Sequence, residues 1–242
     1  MRRCVASTSG RPAWSPPPDA AYAGPLSPRT NRRHLAILAR RPPPLDVLDW
    51  GCGSAEYRPL VRALGHHYVG VDIVGSDADV RGDAHRLPFR GASFDHVITN
   101  AVLEHVTDPL GAVAEVSRVL RPGGVFSGSV AFLEPHHMDS HFHVSADGVV
   151  HLLRCAGFTA DAIWPQERWL VFDSLAAMPG PVTGVTRAGL RLLARLERLL
   201  RTRHLHPRAL TAGTWLRRRT PAERADELLA IAGQIDFVAT RR

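Results

Sequence analysis

The chain has 242 residues, which is enough for one substantial α/β domain, and a formal net charge of +7. It contains no run of eighteen or more apolar residues, so we predict no transmembrane helix. The first thirty residues lack the apolar core of a signal peptide. We therefore expect a cytoplasmic protein with a Pro- and Arg-rich, disordered N-terminus over residues 1–30 and one domain over residues 31–242.

The basic charge lies at the two ends of the chain. Residues 46–164 carry fifteen acidic side chains against eight arginines, whereas the segments on either side are basic. A nucleic-acid platform needs a basic stripe on its functional face, so the acidic centre argues against nucleic acid as a partner. The three cysteines show no zinc-ligand spacing, and we expect no metal.

From residue 46 onward, short apolar runs alternate with amphipathic segments, a pattern typical of βαβ units. The predicted helices cover residues 56–64, 109–120 and 145–156. The segment RPGG at residues 121–124 is predicted to be a turn. The predicted strands cover residues 46–50, 68–73, 78–81, 94–99, 125–131, 158–164 and 235–240. We therefore expect a seven-stranded, mostly parallel α/β sheet with helices on both faces.

About seventy residues separate the last two predicted strands, far more than an ordinary connection. Within this insertion, residues 165–233, an amphipathic helix places leucines on one face and arginines mainly on the other. We expect a helical cap over a substrate site or an oligomer contact. The alternative is a helix that lies on a membrane surface. The residues concerned are Leu192, Leu193, Leu196, Leu199, Leu200, Arg187, Arg191, Arg195 and Arg198.

The strongest signal is the run LDVLDWGCGSAEY, where a buried strand turns sharply into a helix. Glycine at positions 51 and 53 allows tight dihedrals and a close approach of the backbone to a ligand. A dinucleotide site is the natural competitor, but its G-x-G-x-x-G pattern requires Gly or Ala where this chain has Glu56. The carboxylate of Asp49 would also repel a pyrophosphate, whereas a zwitterionic sulfonium ligand would tolerate it.

A second acid, Asp72, ends the next predicted strand, twenty-one residues after Gly51. This is the usual place for a carboxylate that accepts hydrogen bonds from both hydroxyls of a ribose. The two acids and the glycine turn together predict a site for a ligand that carries a ribose.

These residues resemble the class I S-adenosylmethionine-dependent methyltransferases, and closely their type 11 group. Asp49-x-Gly51-x-Gly53-x-Ala55 is similar to the first family motif, and Gly82-Asp83-Ala84 to the adenine-binding segment. The runs SFDHVITNAVLEHV (93–106) and EVSRVLRPGGVF (115–126) resemble the motifs of the fourth and fifth strands. The resemblance covers residues 46–131 and implies a Rossmann-like fold. The departure is Ala55, where the family usually has glycine.

The resemblance implies S-adenosylmethionine as methyl donor and S-adenosylhomocysteine as product. Gly51 and Gly53 would lie under the methionine and ribose part, and Asp72 would bind the ribose. Asp83 would bind the adenine amino group, with the backbone of Ala84 beside the ring. Asn100, at the end of the fourth strand, would face the methyl group.

The loop EPHHMDSHFHVS follows the fifth predicted strand and is expected at the carboxyl edge of the sheet, where ligands bind. Methylation of a hydroxyl requires removal of its proton, which suits histidine. We therefore predict His137 or His141 as the general base. A metal site and exposed histidines without a catalytic role are the alternatives at this loop.

The favoured interpretation is O-methylation of a small biosynthetic metabolite such as a sugar, a polyketide or a phenolic. One alternative is a membrane-associated methyltransferase that acts on a quinone or a glycolipid. The other is a non-catalytic partner domain that binds the donor without transferring its methyl group.

Overall fold

The computed structural model describes residues 30–134, 138–166, 184–202 and 232–242, together with Phe172, Leu175, Ala176 and Leu229. Seven strands form one sheet in the order β3-β2-β1-β4-β5-β7-β6, with β7 antiparallel to both of its neighbours. The strands are β1 (Asp46–Trp50), β2 (His67–Asp72), β3 (Val80–Arg81), β4 (Phe94–Asn100), β5 (Leu120–Ala131), β6 (Phe158–Pro165) and β7 (Gln234–Arg241). The predicted mostly parallel sheet is confirmed.

The helices are α1 (Arg32–Ala39), α2 (Arg58–Ala63), α3 (Pro109–Val119), α4 (Ala146–Cys155) and α5 (Gly184–Thr202), with a 3₁₀ turn at Leu103–His105. Side-chain oxygens of Asn31, Asp108 and Ser145 cap the N-termini of α1, α3 and α4 by accepting backbone N–H bonds. Gly157, at φ +87°, follows the end of α4. The helix predicted over residues 145–156 is therefore confirmed as α4, with Ser145 as its N-cap.

The fifth strand differs from its prediction. It begins at Leu120 rather than at residue 125, so Arg121–Gly124 belong to the strand and not to a turn. The pairing with β4 shifts register after Phe94↔Leu120 and resumes at His96↔Val125. Pro122, Gly123 and Gly124 lie in this irregular part of β5, as residues of a β-bulge do. The same residue types are typical of turns, so the sequence pattern does not distinguish a strand irregularity from a loop.

Helices cover both faces of the sheet, as predicted. One face packs Val113 and Val116 of α3 and Leu153 of α4 against strand residues such as Val97 and Phe126. The other face packs Leu35 and Leu38 of α1 and Val61 of α2 against Val47, Tyr68 and Ile98. Burial on both faces explains why consecutive residues at the centre of each strand, Val47 and Leu48 in β1 and Val97 and Ile98 in β4, are apolar.

The insertion between β6 and β7 contains the long helix α5, and most of its remaining residues lie outside the described ranges. Within the part of the chain that is described, no helix is long and apolar enough to cross a bilayer. The roles predicted for the insertion as a cap or an oligomer contact stay predictions.

Candidate donor and acceptor site

The strand order reverses between β1 and β4, which lie side by side and parallel, because the chain first adds β2 and β3 on one side of β1 and then β4 on the other. This is the topological switch point at which open α/β sheets bind ligands, beyond the carboxyl ends of the strands. The glycine turn follows β1 at this point. Its backbone is anchored to the neighbouring strand because Gly51 and Cys52 donate N–H bonds to the carbonyl of Val71 at 2.8 and 3.1 Å.

Three residues of the turn adopt left-handed backbone conformations: Gly51 at φ +73°, Gly53 at φ +53° and Ala55 at φ +53°. The two glycines differ in their surroundings. A Cβ at Gly51 would lie 2.2 Å from Cγ2 of Val102, whereas a Cβ at Gly53 would meet no atom within 4 Å. Gly51 is therefore required for packing against the segment after β4, and Gly53 borders open space.

Ala55 occupies the position where the family usually has glycine, and it keeps the left-handed conformation that glycine adopts freely. Ala101, at φ +55°, follows the last residue of β4. Non-glycine residues in this conformation are uncommon and concentrate at functional sites. Both strained alanines lie in the turns that leave the carboxyl edge of the sheet.

Asp49, in β1 just before the turn, is 2% exposed. Burial raises the pKa of its carboxyl to about 7, although a hydrogen bond from the Tyr68 hydroxyl acts in the opposite direction. That hydroxyl donates to Oδ2 of Asp49 at 2.7 Å. The predicted donor-site acid is thus a buried carboxyl with one buried phenolic partner.

Asp72, at the end of β2, accepts three backbone N–H bonds. Gly53 donates to Oδ2 at 2.9 Å, and Val74 and Gly75 donate to Oδ1 at 2.9 and 3.0 Å. Partial burial raises the pKa of Asp72, but these backbone bonds outweigh it and hold the pKa below its usual value. The carboxylate is therefore ionised and fixed beside Gly53, as a ribose-binding acid must be.

Asp83 and Ala84 lie in the loop after β3. Asp83 is exposed, and its Oδ1 accepts from the backbone N–H of His85 at 2.9 Å and from Nδ1 of His85 at 2.7 Å. These two bonds lower the pKa of Asp83. Ala84 is partly buried against the core. The predicted adenine-binding loop is thus ordered by a histidine that the sequence analysis did not select.

Asn100 ends β4, and its Oδ1 accepts a short hydrogen bond from the hydroxyl of Ser129 on β5. The two residues are register partners in the parallel pair. Asn100 therefore lies at the carboxyl edge of the central strand, next to the glycine turn, with its amide orientation set by Ser129.

The loop after β5 packs against the 3₁₀ turn that follows β4. His141 and Phe142 donate backbone N–H bonds to the carbonyl of Glu104 at 2.6 and 3.2 Å. The imidazole of His141 is exposed at this edge of the sheet. His137, the other predicted base, lies outside the described residues. Within the described ranges, no group of three or more His, Cys, Asp or Glu side chains is arranged to hold a metal.

Three residues of the site were not selected from the sequence: Tyr68, His85 and Glu104. Glu104 is fully buried within the 3₁₀ turn. An acid that directly follows the apolar residues AVL (101–103) is a signal that could have indicated it. Tyr68 gives no such signal because tyrosine is an ordinary strand residue.

A protein-family model described as "Methyltransferase domain" matches residues 48–127. This range begins in β1 and ends in β5, so it contains the glycine turn, Asp72, Asp83 and Asn100. Residues 48–127 belong to a methyltransferase domain. The sheet order with an antiparallel β7 is that of the class I methyltransferase fold.

Two curated relatives agree with the methyltransferase assignment. A protein of Mycolicibacterium smegmatis named "Probable S-adenosylmethionine-dependent methyltransferase" is 32% identical over 155 residues, which are 54% of this chain and 59% of that protein. A malonyl-acyl-carrier-protein O-methyltransferase of Erwinia billingiae is 31% identical over 153 residues, which are 59% of this chain and 55% of that protein. The chain thus spans somewhat more than half the length of these relatives.

The methyltransferase fold is also seen in solved structures. The crystal structure of the cyclase SpnF matches with a TM-score of 0.53 at 18% identity and covers 86% of this chain and 80% of that one. At this identity the likeness concerns the fold alone, and the same fold hosts many functions.

Proposed function

We propose that the methyltransferase domain binds S-adenosylmethionine at the carboxyl edge of β1, β2 and β4 and methylates a small biosynthetic metabolite at oxygen. The observation that carries the donor site is the arrangement around the glycine turn. Asp72 is fixed beside Gly53 by a bond of 2.9 Å, and a side chain at Gly53 would meet only open space. An ionised acid beside an uncovered turn suits a ligand with a ribose and a positive charge.

The chain offers one contact for each part of the donor. Asp72 would bind the ribose hydroxyls, and Asp83 with the backbone of Ala84 would bind the adenine. Asp49 would place negative charge opposite the positively charged methionine end, with Gly51 and Gly53 beneath it. Asn100 would lie nearest the methyl group.

When bound, S-adenosylmethionine supplies a methyl group that is already activated by its sulfonium. The protein's part is to align the acceptor oxygen with that methyl group, and such alignment can supply much of the rate. As the oxygen–carbon bond forms and the carbon–sulfur bond breaks, the hydroxyl proton must leave the acceptor. We assign its removal to the imidazole of His141 or His137. The backbone of His141 is bound to Glu104 in the 3₁₀ turn that follows β4.

The proposal of an oxygen acceptor is supported by the O-methyltransferase among the relatives and by the exposed His141 imidazole. The proposal of a small acceptor is supported by the acidic central segment, in which fifteen acids outnumber eight arginines. An acidic segment of this kind disfavours nucleic acid as the substrate, because nucleic acid is itself negatively charged.

Methyl-labelled S-adenosylmethionine, incubated with the protein and fractionated cell extract, tests the substrate class. Label in the water-soluble metabolites is the expected result, whereas label in macromolecules would overturn the proposal. Label that is absent from every fraction, with S-adenosylhomocysteine still bound, would favour the non-catalytic alternative.

A membrane-borne acceptor such as a quinone or glycolipid is a second candidate, which one observation favours. Leu192, Leu193 and Leu196 of α5 are 65, 43 and 48% exposed, and the helix also carries Arg187, Arg191 and Arg195. Exposed leucines beside arginines are typical of helices that bind anionic membrane surfaces. Flotation with anionic vesicles would detect such binding. The variant Leu192→Ser with Leu196→Ser should then lose it, and absence of binding by the unmodified chain would remove this candidate.

A further inference from the structure

The bond between Tyr68 and Asp49 joins two buried side chains beneath the donor site. The hydroxyl of Tyr68 donates to Oδ2 of Asp49 at 2.7 Å, and the tyrosine is only 6% exposed. A hydrogen bond to a charged acceptor in a buried place is stronger than one in water. The proposed function does not use Tyr68, which does not belong to the glycine turn.

The register of the sheet makes this bond possible. Asp49 pairs with Gly70, and Tyr68 lies two residues earlier on the same strand, opposite Val47. Residues two apart on a strand share a face, so Tyr68 reaches Asp49 diagonally across the position of Gly70. A Cβ at Gly70 would lie 2.9 Å from the Tyr68 hydroxyl and 2.9 Å from Sγ of Cys52. Because residue 70 is a glycine, no side chain stands between the Tyr68 hydroxyl and Asp49.

Other contacts fix the tyrosine ring. The guanidinium of Arg58 lies 5.4 Å from the centre of the ring, in cation–π contact. Arg58 also binds Oδ1 of Asp79 at 3.0 Å, and Oδ2 of Asp79 accepts the N–H of Gly70 at 2.8 Å. The hydroxyl is therefore held at its place by α2 and by the loop after β2.

The charge of Asp49 depends on this hydroxyl. Burial raises the pKa of Asp49 to about 7, and the hydrogen bond from Tyr68 is the largest effect that lowers it. The other charged groups that act on Asp49 are Asp72, Asp79 and Arg58. Cys52 and Tyr57 lie nearby, but burial and the charge of Asp49 raise the pKa values of their thiol and phenol, so both are uncharged near neutral pH. The carboxylates of Asp72 and Asp79 oppose ionisation of Asp49. Without the phenolic donor, Asp49 would hold its proton to higher pH.

We propose that Tyr68 is a positioning residue for the methyl donor: its hydroxyl favours the ionised form of the Asp49 carboxyl and orients it beside the glycine turn, where the carboxylate attracts the positively charged methionine end. This inference rests on the proposed function, because it requires that the donor bind at this edge of the sheet. Tyr68 itself contacts the carboxylate and not the donor.

The test is the binding of S-adenosylhomocysteine to the full chain by calorimetry between pH 6 and pH 8.5. Tyr68→Phe removes only the hydroxyl, and we expect about tenfold weaker binding at pH 7, the scale of one hydrogen bond to a charged group. The loss should shrink as the pH rises, because the pKa of Asp49 moves upward and more alkaline solution restores its charge. A purely structural role would lower affinity equally at every pH.

Tyr57→Phe is the matched control. Tyr57 is also buried, and its hydroxyl accepts the N–H of Asn31 at 2.8 Å rather than binding Asp49. This variant should retain the affinity and the pH profile of the unmodified chain. In an Asp49→Asn background, Tyr68→Phe should have no further effect if it acts through the carboxylate.

The outcomes separate the inference from the proposed function. If the unmodified chain binds neither S-adenosylmethionine nor S-adenosylhomocysteine, the proposed function fails. If it binds them and Tyr68→Phe leaves both affinity and pH profile unchanged, the inference about Tyr68 is wrong and the proposed function stands. A further loss of affinity when Tyr68→Phe is added to Asp49→Asn would likewise overturn the inference about Tyr68.

Discussion

The imidazole of His85 bridges Asp83 and the start of α3. Its Nδ1 lies 2.7 Å from Oδ1 of Asp83, and its Nε2 accepts the backbone N–H of Asp108 at 3.1 Å. Because Nε2 accepts, the proton of the neutral ring lies on Nδ1 and is donated to the carboxylate. One side chain thereby connects the proposed adenine loop to the N-cap of the helix that covers it.

A single substitution removes the His85 bridge. His85→Ala should weaken the binding of S-adenosylhomocysteine severalfold, because Asp83 loses the group that orients it. The pKa of Asp83, measured by carbon NMR of its carboxyl, should rise only part of the way to its usual value, since the backbone N–H of residue 85 still donates. His67→Ala is the control, because His67 pairs with Asp46 at the opposite end of the strands. Equal affinities of His85→Ala and His67→Ala would contradict the prediction.

The two glycines of the turn should respond differently to alanine. Gly51→Ala adds a methyl group 2.2 Å from Val102 in a left-handed conformation, so we expect about 2–4 kcal/mol of lost stability from strain and overpacking together. Gly53→Ala adds only the conformational cost of about 1–2 kcal/mol, but it should impair donor binding. Urea unfolding and calorimetry measure the two effects. Val102→Ala should recover part of the stability of Gly51→Ala and none of the affinity of Gly53→Ala.

Buried histidines should make the fold sensitive to mild acid. His34 is fully buried, and burial lowers its pKa to about 3, while His96 is buried and its pKa is likewise well below the usual value. Because folding lowers both pKa values, the unfolded chain binds more protons than the folded chain below pH 6.5, the ordinary pKa of histidine. Their stabilising contribution is complete above pH 6.5 and falls by about 1.4 kcal/mol per unit per histidine as the pH drops toward the folded pKa.

Single variants isolate the histidine effect, because the raised pKa of Asp49 contributes in the opposite sense. His34→Gln should flatten the dependence of the unfolding free energy on pH between 6 and 4 by about one proton. His151→Gln, at an exposed position of α4, is the control and should leave the slope unchanged. The same slope in the unmodified chain, His34→Gln and His151→Gln would contradict the lowered pKa of His34.

The choice of general base can be decided once labelling has provided an acceptor. His141→Ala keeps the backbone N–H that binds Glu104, so this variant should fold normally. If His141 is the base, the turnover number should fall by a factor of about 10²–10⁴. His137→Ala is assayed beside it, and His143→Ala tests whether any neighbouring histidine has the same effect. Unchanged turnover of both His141→Ala and His137→Ala would remove the role from these two residues.

Much of the fold could be predicted from the sequence because the strands are short, buried and followed by recognisable turns. The predicted strand at residues 46–50 matches β1, and the helix predicted at residues 109–120 is α3 with one residue fewer. Helix α1 was not predicted, since its buried face contains Arg33 and His34, which a search for apolar periodicity overlooks. The contact of Tyr68 with Asp49 could not be predicted either, because it depends on which residue of β2 pairs with Asp49.

The placement of β7 has a consequence for synthesis. It forms hydrogen bonds with β5 on one side and β6 on the other, although β6 precedes it by some seventy residues of chain. Until residues 234–241 leave the ribosome, β5 is an open edge and β6 has no partner in the sheet. Unpaired edges invite association between chains, so a slow step in translating the intervening insertion would prolong the most aggregation-prone stage of this domain.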